Sequence, residues 1–329
     1  MKNNPIKIGV VGVGHLGQHH VKHYKILKNV ELVGVFDTDK NRALEISNKY
    51  NTTAFDELSD LIMKTDALSI VVSTKYHAEI AEICIKNKKH VFIEKPITAS
   101  LDEADRLLSM AEENKVLIQV GHIERLNPAL LALRPYDIKP KFIEIQRLAP
   151  YTSRGTDVPV VLDKMIHDID ILLSLVNAPV KTIKATGLSI LTDSIDIAHA
   201  RVRFSNGTVA SIMSSRVAKD EVRKIKIFQK DLYATLDLLI GSTEVYEIVE
   251  NSKGSSNSKM AVPFEYGNEE KLIVYNKPDL ESGDPLQMEL ENFAFSILGQ
   301  QKPIVSGKEG RDALKFAMEI QKMIIQDTH

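Results

Sequence analysis

The stretch Ile6-Lys7-Ile8-Gly9-Val10-Val11-Gly12-Val13-Gly14-His15-Leu16-Gly17 decides how the chain begins to fold. Its opening part, Ile6–Val13, is a short apolar run, the mark of a strand buried on both faces. The glycines that follow have separate jobs. Gly12 permits a tight turn, Gly14 lets backbone approach a pyrophosphate, and Gly17 lets helix and strand pack closely. His15 and Leu16 stand where the helix opens, and free N–H groups with the helix dipole favour an anion there. Asp37 follows the next apolar run, Val30–Phe36, twenty residues beyond Gly17. An acid at that place bonds ribose hydroxyls and repels a 2′-phosphate, which points to NAD rather than NADP. In the competing reading the glycines only make a tight turn and Asp37 only caps the next helix.

Outward from this motif the first third alternates regularly. Helix-like residues run over His15–Lys28, Lys40–Tyr50, Glu57–Met63, Ala78–Lys86 and Leu101–Asn114. Between them lie strand-like runs at Thr52–Phe55, Ala67–Val72, Val91–Glu94 and Val116–Gly121. Such alternation predicts a parallel sheet with helices on both faces, an α/β Rossmann domain over residues 1–123. After Gly121 the pattern changes. Asn127–Leu133 reads as helical, Lys141–Arg147 as a strand, and Leu162–Val176 as a long amphipathic helix. From Val180 to about Tyr275 the chain is strand-rich, with period-two alternation in Ala200–Phe204 and Thr208–Met213. Asn206-Gly207 between those two strands predicts a hairpin, since both residues tolerate positive φ. Asn251–Lys259 reads as an exposed loop, and Gln287–Leu298 and Arg311–Ile325 as closing helices. The second domain, over 124–329, is expected to be α+β with a largely antiparallel open sheet.

Composition bounds the function. The chain has 329 residues, with 43% apolar and 26% charged, as in globular proteins rather than disordered ones. Lys plus Arg is 42 against 44 for Asp plus Glu, so no basic excess points to nucleic acid or an anionic membrane. One cysteine, Cys84, excludes an intrachain disulfide and suits a reducing compartment. No apolar run approaches the roughly 20 residues that span a bilayer, and Met1–Pro5 lacks the layout of a signal peptide. A cytoplasmic location is the expectation.

Three further groups carry chemistry. Ser73-Thr74-Lys75-Tyr76-His77 follows a strand, and loops at the carboxyl ends of such strands face the ligand. Ser73, Thr74 and His77 are therefore candidates for the cofactor site, with His77 as a helix-start residue of no chemical role as the alternative. Glu94-Lys95-Pro96 ends another strand. Proline keeps Lys95 out of helical geometry and stops the strand with the lysine at the rim of the sheet. A lysine there lowers the pKa of a substrate hydroxyl by its charge or joins in proton transfer, and Glu94 orients it. A solvated surface lysine is the competing reading. Asp163 and His167, four residues apart, share one helical face, with Asp170 beyond them. His167 suits proton shuttling near neutrality, and Asp163 suits substrate binding or orientation of the imidazole. A partly buried histidine bonded only to backbone is the alternative. A metal site lacks a clear third ligand.

The glycine-rich turn, the acid after the second strand and Glu94-Lys95-Pro96 together resemble the Gfo/Idh/MocA oxidoreductases over essentially the whole chain. The resemblance implies that Lys95 is catalytic or positions substrate, that Asp163 and His167 share the chemistry, and that Lys95–Pro96 is cis. It implies oxidation of a sugar hydroxyl to a ketone with NAD as acceptor. It also implies a homodimer or homotetramer formed through the second domain's sheet. Gly121–Pro128 and Leu162–Asp170 resemble a narrower branch. That branch oxidises C3 of UDP-N-acetylglucosamine to the 3-keto UDP-sugar for diamino-sugar lipid A synthesis. Arg125, where the domains join, and Arg154, in the loop before His167, are then candidates for the diphosphate. Ion pairing is the alternative for both. Met165 stands where many relatives have Gly, Pro159-Val160-Val161 replaces a Gly-rich approach, and Thr74-Lys75 replaces Thr-Pro. Two other functions fit the same motifs: a dehydrogenase of a free sugar or polyol such as an inositol, and a non-catalytic NAD- or sugar-binding regulator.

Overall fold

The apolar runs before Gly121 become the strands of one parallel sheet. In the computed structural model, which describes residues 5–152, 158–250, 260–266, 269–280 and 283–327, these are β1 (Ile6–Val11), β2 (Val30–Phe36), β3 (Thr53–Ala54), β4 (Ala67–Ile70), β5 (His90–Glu94) and β6 (Ile118–Gly121). Between them run α1 (Gly17–Ile26), α2 (Lys40–Tyr50), α3 (Leu58–Lys64), α4 (His77–Lys86) and α5 (Leu101–Asn114). The order β3-β2-β1-β4-β5-β6, with every neighbour parallel, is that of a doubly wound dinucleotide fold. Local chemistry starts the helices where they start. Asp39 accepts the N–H groups of Asn41 and Arg42 to cap α2, and Ser100 with Glu103 forms a reciprocal capping box on α5.

The second unit begins with the short helix α6 (Pro128–Leu131) and β7 (Phe142–Leu148). A π-helical turn, Val161–Met165, then runs into α7 (Ile166–Val176). The expected single helix over 162–176 is thus a widened turn followed by an α-helix. The strands β8 (Val180–Leu188), β9 (Ile197–Phe204), β10 (Val209–Ser215), β11 (Val222–Gln229), β12 (Leu232–Asp237), β13 (Ser242–Glu250), β14 (Met260–Tyr266) and β15 (Glu269–Asn276) follow. With β7 they form a nine-stranded sheet in the order β14-β15-β13-β12-β11-β7-β10-β9-β8. Only β7 and β10 pair in parallel; the other neighbours are antiparallel.

One face of this sheet buries Ile143, Ile145, Val202, Ile212, Ile225 and Leu236. The opposite face carries a row of rings in register across five strands: Phe142, Phe228, Tyr233, Tyr246 and Tyr275. Neighbouring rings lie 4.8–5.8 Å apart between centroids. At the hairpin between β9 and β10 only Gly207 has a positive φ, of 88°. Its N–H donates to the Phe204 carbonyl at 3.1 Å. The turn is therefore the three-residue kind with a left-handed glycine, and Asn206 instead accepts the Thr208 N–H through its side chain. The expected loop at 251–259 lies outside the described residues.

The chain divides into Met1–Ile123 with Gly283–Lys315, and Glu124–Ser282 with Phe316–His329. This corrects the expectation that 124–329 forms one domain. The reason is α8 (Pro285–Ile297), which turns Leu286, Leu290 and Phe293 into the core around Ile8, Val10, Tyr24 and Phe92. Phe293 meets Phe92 edge-on at 5.7 Å. The last helix, α9 (Gly307–Asp327), starts on a reciprocal Ser306–Glu309 cap. Among the described residues no helix is long and apolar enough to cross a membrane.

In the second unit the connection from β8 to β9 gathers on Asp196, which is fully buried. Its carboxylate accepts the N–H groups of Ile190, Leu191 and Thr192 at 2.6–2.9 Å and the Thr192 hydroxyl at 2.7 Å. Burial pushes this carboxyl up, but these donors outweigh it and hold it at about 2, against 3.8 in water.

Two outcomes follow from this packing. Phe293→Ala should cost about 3–5 kcal/mol in urea unfolding, as a core cavity does, with the loss located in the first unit by hydrogen exchange. Asp196 contributes stability in full above pH 3.8, and that contribution is lost as pH falls towards 2. Asp196→Asn should therefore melt well below the wild type near neutrality. The gap should close in acid, where both side chains are uncharged.

Candidate active site

The glycines of the first turn can be judged by what a side chain would meet. A Cβ at Gly12, where φ is +85°, would lie 2.5 Å from the Val71 carbonyl oxygen, and one at Gly17 would lie 1.9 Å from the Gly12 oxygen. At Gly14 nothing stands within 4 Å, so that position faces open space. The start of α1 has no side-chain cap, and His15 and Leu16, just before the helix, are exposed. Beside the turn lies a cleft of about 670 Å³ lined by Gly12, Gly14, Asp37, Thr38, Ser73 and Tyr76, among others. The Asp37 carboxylate accepts the Val13 N–H at 2.8 Å and the Asp39 N–H at 3.0 Å. A carboxylate has about four acceptor sites, so two remain for hydroxyls. An open backbone turn, an uncapped helix start and an acid at the far wall fit a dinucleotide.

Ser73 is exposed and Thr74 half-buried in the short 3₁₀ turn Thr74–Tyr76. His77 behaves otherwise. It is 1% exposed, with Nδ1 2.9 Å from the Pro96 carbonyl oxygen and Nε2 3.1 Å from that of Val72. Both ring nitrogens face backbone carbonyls, which only accept, so a neutral ring donates to one of the two; buried against backbone in this way, His77 corrects the expectation of a cofactor contact. Burial lowers the His77 pKa, against the pull of those two carbonyls.

Glu94 closes β5, and Lys95 follows at the carboxyl edge of the sheet across a cis bond to Pro96. Lys95 is half-buried, and its N–H donates to Glu94 Oε2 at 3.3 Å. Glu94 Oε1 lies 3.1 Å from Nε2 of the buried His20, whose Nδ1 lies 2.8 Å from Ser69 Oγ. Sequence reading missed His20 and Ser69. One sits on a helix face and the other mid-strand, where nothing local marks a partner.

In the second unit Asp163 lies in the π-helical turn and His167 in the first turn of α7, both half-buried. The turn is launched by Pro159, whose carbonyl accepts the N–H groups of both Leu162 and Asp163 at 3.0 Å. Asp163 Oδ2 is 3.7 Å from Lys164 Nζ. Two arginine forks grip α7 just past His167. Arg147 donates to Asp168 at 2.9–3.0 Å and to Glu124 at 2.9 Å. Burial works against the Arg147 charge, and the two carboxylates outweigh it and raise its pKa. Arg125 donates to Asp170 through Nε and Nη2 at 2.6 and 2.9 Å. Arg125 is therefore spent on a buried bidentate ion pair, which corrects its expected place at a substrate diphosphate. Arg154 lies outside the described residues.

Comparison with known proteins agrees with this geometry. Residues 6–122 match the description "Oxidoreductase family, NAD-binding Rossmann fold", and residues 142–231 match "GFO/IDH/MocA C-terminal domain". The chain is 35% identical over 317 residues to UDP-N-acetylglucosamine 3-dehydrogenase of Acidithiobacillus ferrooxidans, covering 96% of each. It is 26% identical over 340 residues to myo-inositol 2-dehydrogenase of Thermotoga maritima, covering 97% of this chain and 96% of that one. A solved structure of the Acidithiobacillus enzyme superposes with a TM-score of 0.87 at 33% identity, over 98% of both chains. A parallel sheet with an open glycine turn, a lysine at its rim, and similarity that runs nearly end to end lead to one statement: the chain is an oxidoreductase and belongs to the Gfo/Idh/MocA family.

Proposed function

We propose that the protein oxidises the C3 hydroxyl of UDP-N-acetylglucosamine to the 3-keto UDP-sugar, with NAD, for diamino-sugar lipid A synthesis. The observation that carries this reading is 35% identity along 96% of the chain to an enzyme of that name, well above the 26% to an inositol dehydrogenase. NAD, when bound, supplies the hydride acceptor. Gly12, Gly14 and the uncapped start of α1 hold its pyrophosphate, and Asp37 takes the ribose hydroxyls and rejects a 2′-phosphate. Ser73 and Thr74 stand beside it.

Lys95 supplies a fixed positive charge to the sugar hydroxyl, lowering its pKa as the proton leaves. His167 is the group suited to carry that proton, and Asp163 binds the sugar or orients the imidazole. The forks on Asp168 and Asp170 keep the start of α7 from turning about its axis. The ring-lined face of the nine-stranded sheet is assigned to contact with a second copy of the chain, as homodimer or homotetramer.

Purified protein should form NADH with UDP-N-acetylglucosamine and NAD, and respond poorly to NADP and to myo-inositol. A coupled aminotransferase removes the ketone and draws the reaction forward. Lys95→Ala and His167→Ala should each lower kcat by about 10²-fold or more. Turnover of myo-inositol alone would keep the fold and cofactor and move the substrate to a free polyol. NAD binding without any turnover would leave a binding protein. For Asp37→Ala, KM for NAD should rise about tenfold while use of NADP improves, since the substitution removes both the acceptor and the repulsion.

A further inference from the structure

The turn Glu94-Lys95-Pro96 is bracketed by two buried imidazoles, and the function proposed above uses neither. On one side His20, fully buried on α1, sets Nε2 3.1 Å from Glu94 Oε1. On the other side His77, at the start of α4, sets Nδ1 2.9 Å from the Pro96 carbonyl oxygen. Behind each ring its second nitrogen faces a partner. For His20 the anchor is Ser69 Oγ on β4, at 2.8 Å. For His77 the second nitrogen faces the Val72 carbonyl just beyond β4, at 3.1 Å; carbonyls only accept, so a neutral ring donates to one of its two carbonyls at a time and packs against the other. Both flanks of Lys95 thus meet a histidine that reaches back to β4 or to the segment just past its end. Val72 also lines the cofactor cleft, so one of the two ties starts from its wall.

The Glu94 carboxylate is fixed on its remaining sides as well. Its Oε2 accepts the Lys95 N–H, and it lies over Gly121, where a Cβ would come within 2.9–3.0 Å of the carboxylate atoms. Because a carboxylate only accepts, His20 Nε2 carries a proton and a neutral ring takes the Ser69 hydroxyl on Nδ1. With the residue before and the residue after Lys95 both held, the backbone of Lys95 has one place to be. Position matters at this level: a displacement of about 1 Å in a reacting group can cost about a hundredfold in rate.

We infer that His20 and His77 are positioning residues for Lys95, acting through Glu94 and Pro96 and touching neither cofactor nor sugar. The inference rests on the reading of Lys95 as the group that meets the substrate hydroxyl.

The full-length variants His20→Leu, His20→Gln, His77→Leu, His77→Gln and Ser69→Ala test it, with Lys95→Ala alongside. Turnover is followed with UDP-N-acetylglucosamine and with myo-inositol, NAD affinity by calorimetry, and folding by thermal melting. In the leucine variants kcat should fall at least about tenfold, with KM and NAD affinity within about twofold of wild type. The glutamine variants keep an N–H donor and should regain part of that loss. Acetylation of Lys95 by acetic anhydride, read by peptide mass, needs no turnover. Its rate should change severalfold in the leucine variants while that of other lysines stays constant. Should the leucine variants not fold, Ser69→Ala and His77→Gln carry the same expectation in smaller measure. Folded variants with unchanged kcat, or an unchanged Lys95 acetylation rate, overturn the bracket alone when Lys95→Ala is inactive. Full activity in Lys95→Ala overturns the role of Lys95 and the bracket with it.

Discussion

A missing side chain governs the first unit. A Cβ at position 17 would sit 1.9 Å from the Gly12 carbonyl oxygen, so α1 begins where it does only because Gly17 has none. That close start has two effects at opposite faces of one helix. Towards solvent, it leaves an uncapped helix end beside an open turn, which suits an anion. Towards the sheet, it delivers His20 one turn later to Glu94, and then Val21 and Tyr24 to the core. Cradle, acid and lysine are therefore placed by a single constraint, and a change at Gly17 disturbs all three.

Much of this was legible in the sequence, for identifiable reasons. Buried parallel strands read as mostly apolar runs, broken here only by single polar residues such as Lys7 and Glu31, so β1, β2, β4 and β5 were visible without partners. The glycine spacing carried its own mechanism. What failed depended on partners far along the chain. Residues of α8 are apolar at helical spacing, but nothing in that spacing says which sheet they cover; Phe293 meeting Phe92 decides it. His77 looked equally suited to ligand or to backbone, and only the positions of Val72 and Pro96 settle the choice. Arg125 reads as a phosphate contact until Asp170 is seen to occupy its fork. The π-helical turn before His167 leaves no trace in periodicity over five residues.

The second unit solves a different problem: how to hold a helix rigidly against a twisted sheet. Asp168 and Asp170 are two residues apart, so their side chains leave α7 roughly 200° around its axis. An arginine grips each, Arg147 from β7 and Arg125 from the chain before α6. Forces on opposite flanks resist rotation where a single ion pair would act as a pivot. Buried ion pairs add little net stability, since desolvation offsets the attraction, and their benefit here is geometric. His167 lies immediately before the two grips.

The order of the nine strands leaves β14 and β8 as its borders. An unpaired strand border is a template on which another chain can grow a fibril. β14 carries Pro263, which has no N–H to offer, and β8 carries Lys181 and Lys184, both exposed. The two borders of the sheet, one short of a donor and one charged, make poor seeds for such growth.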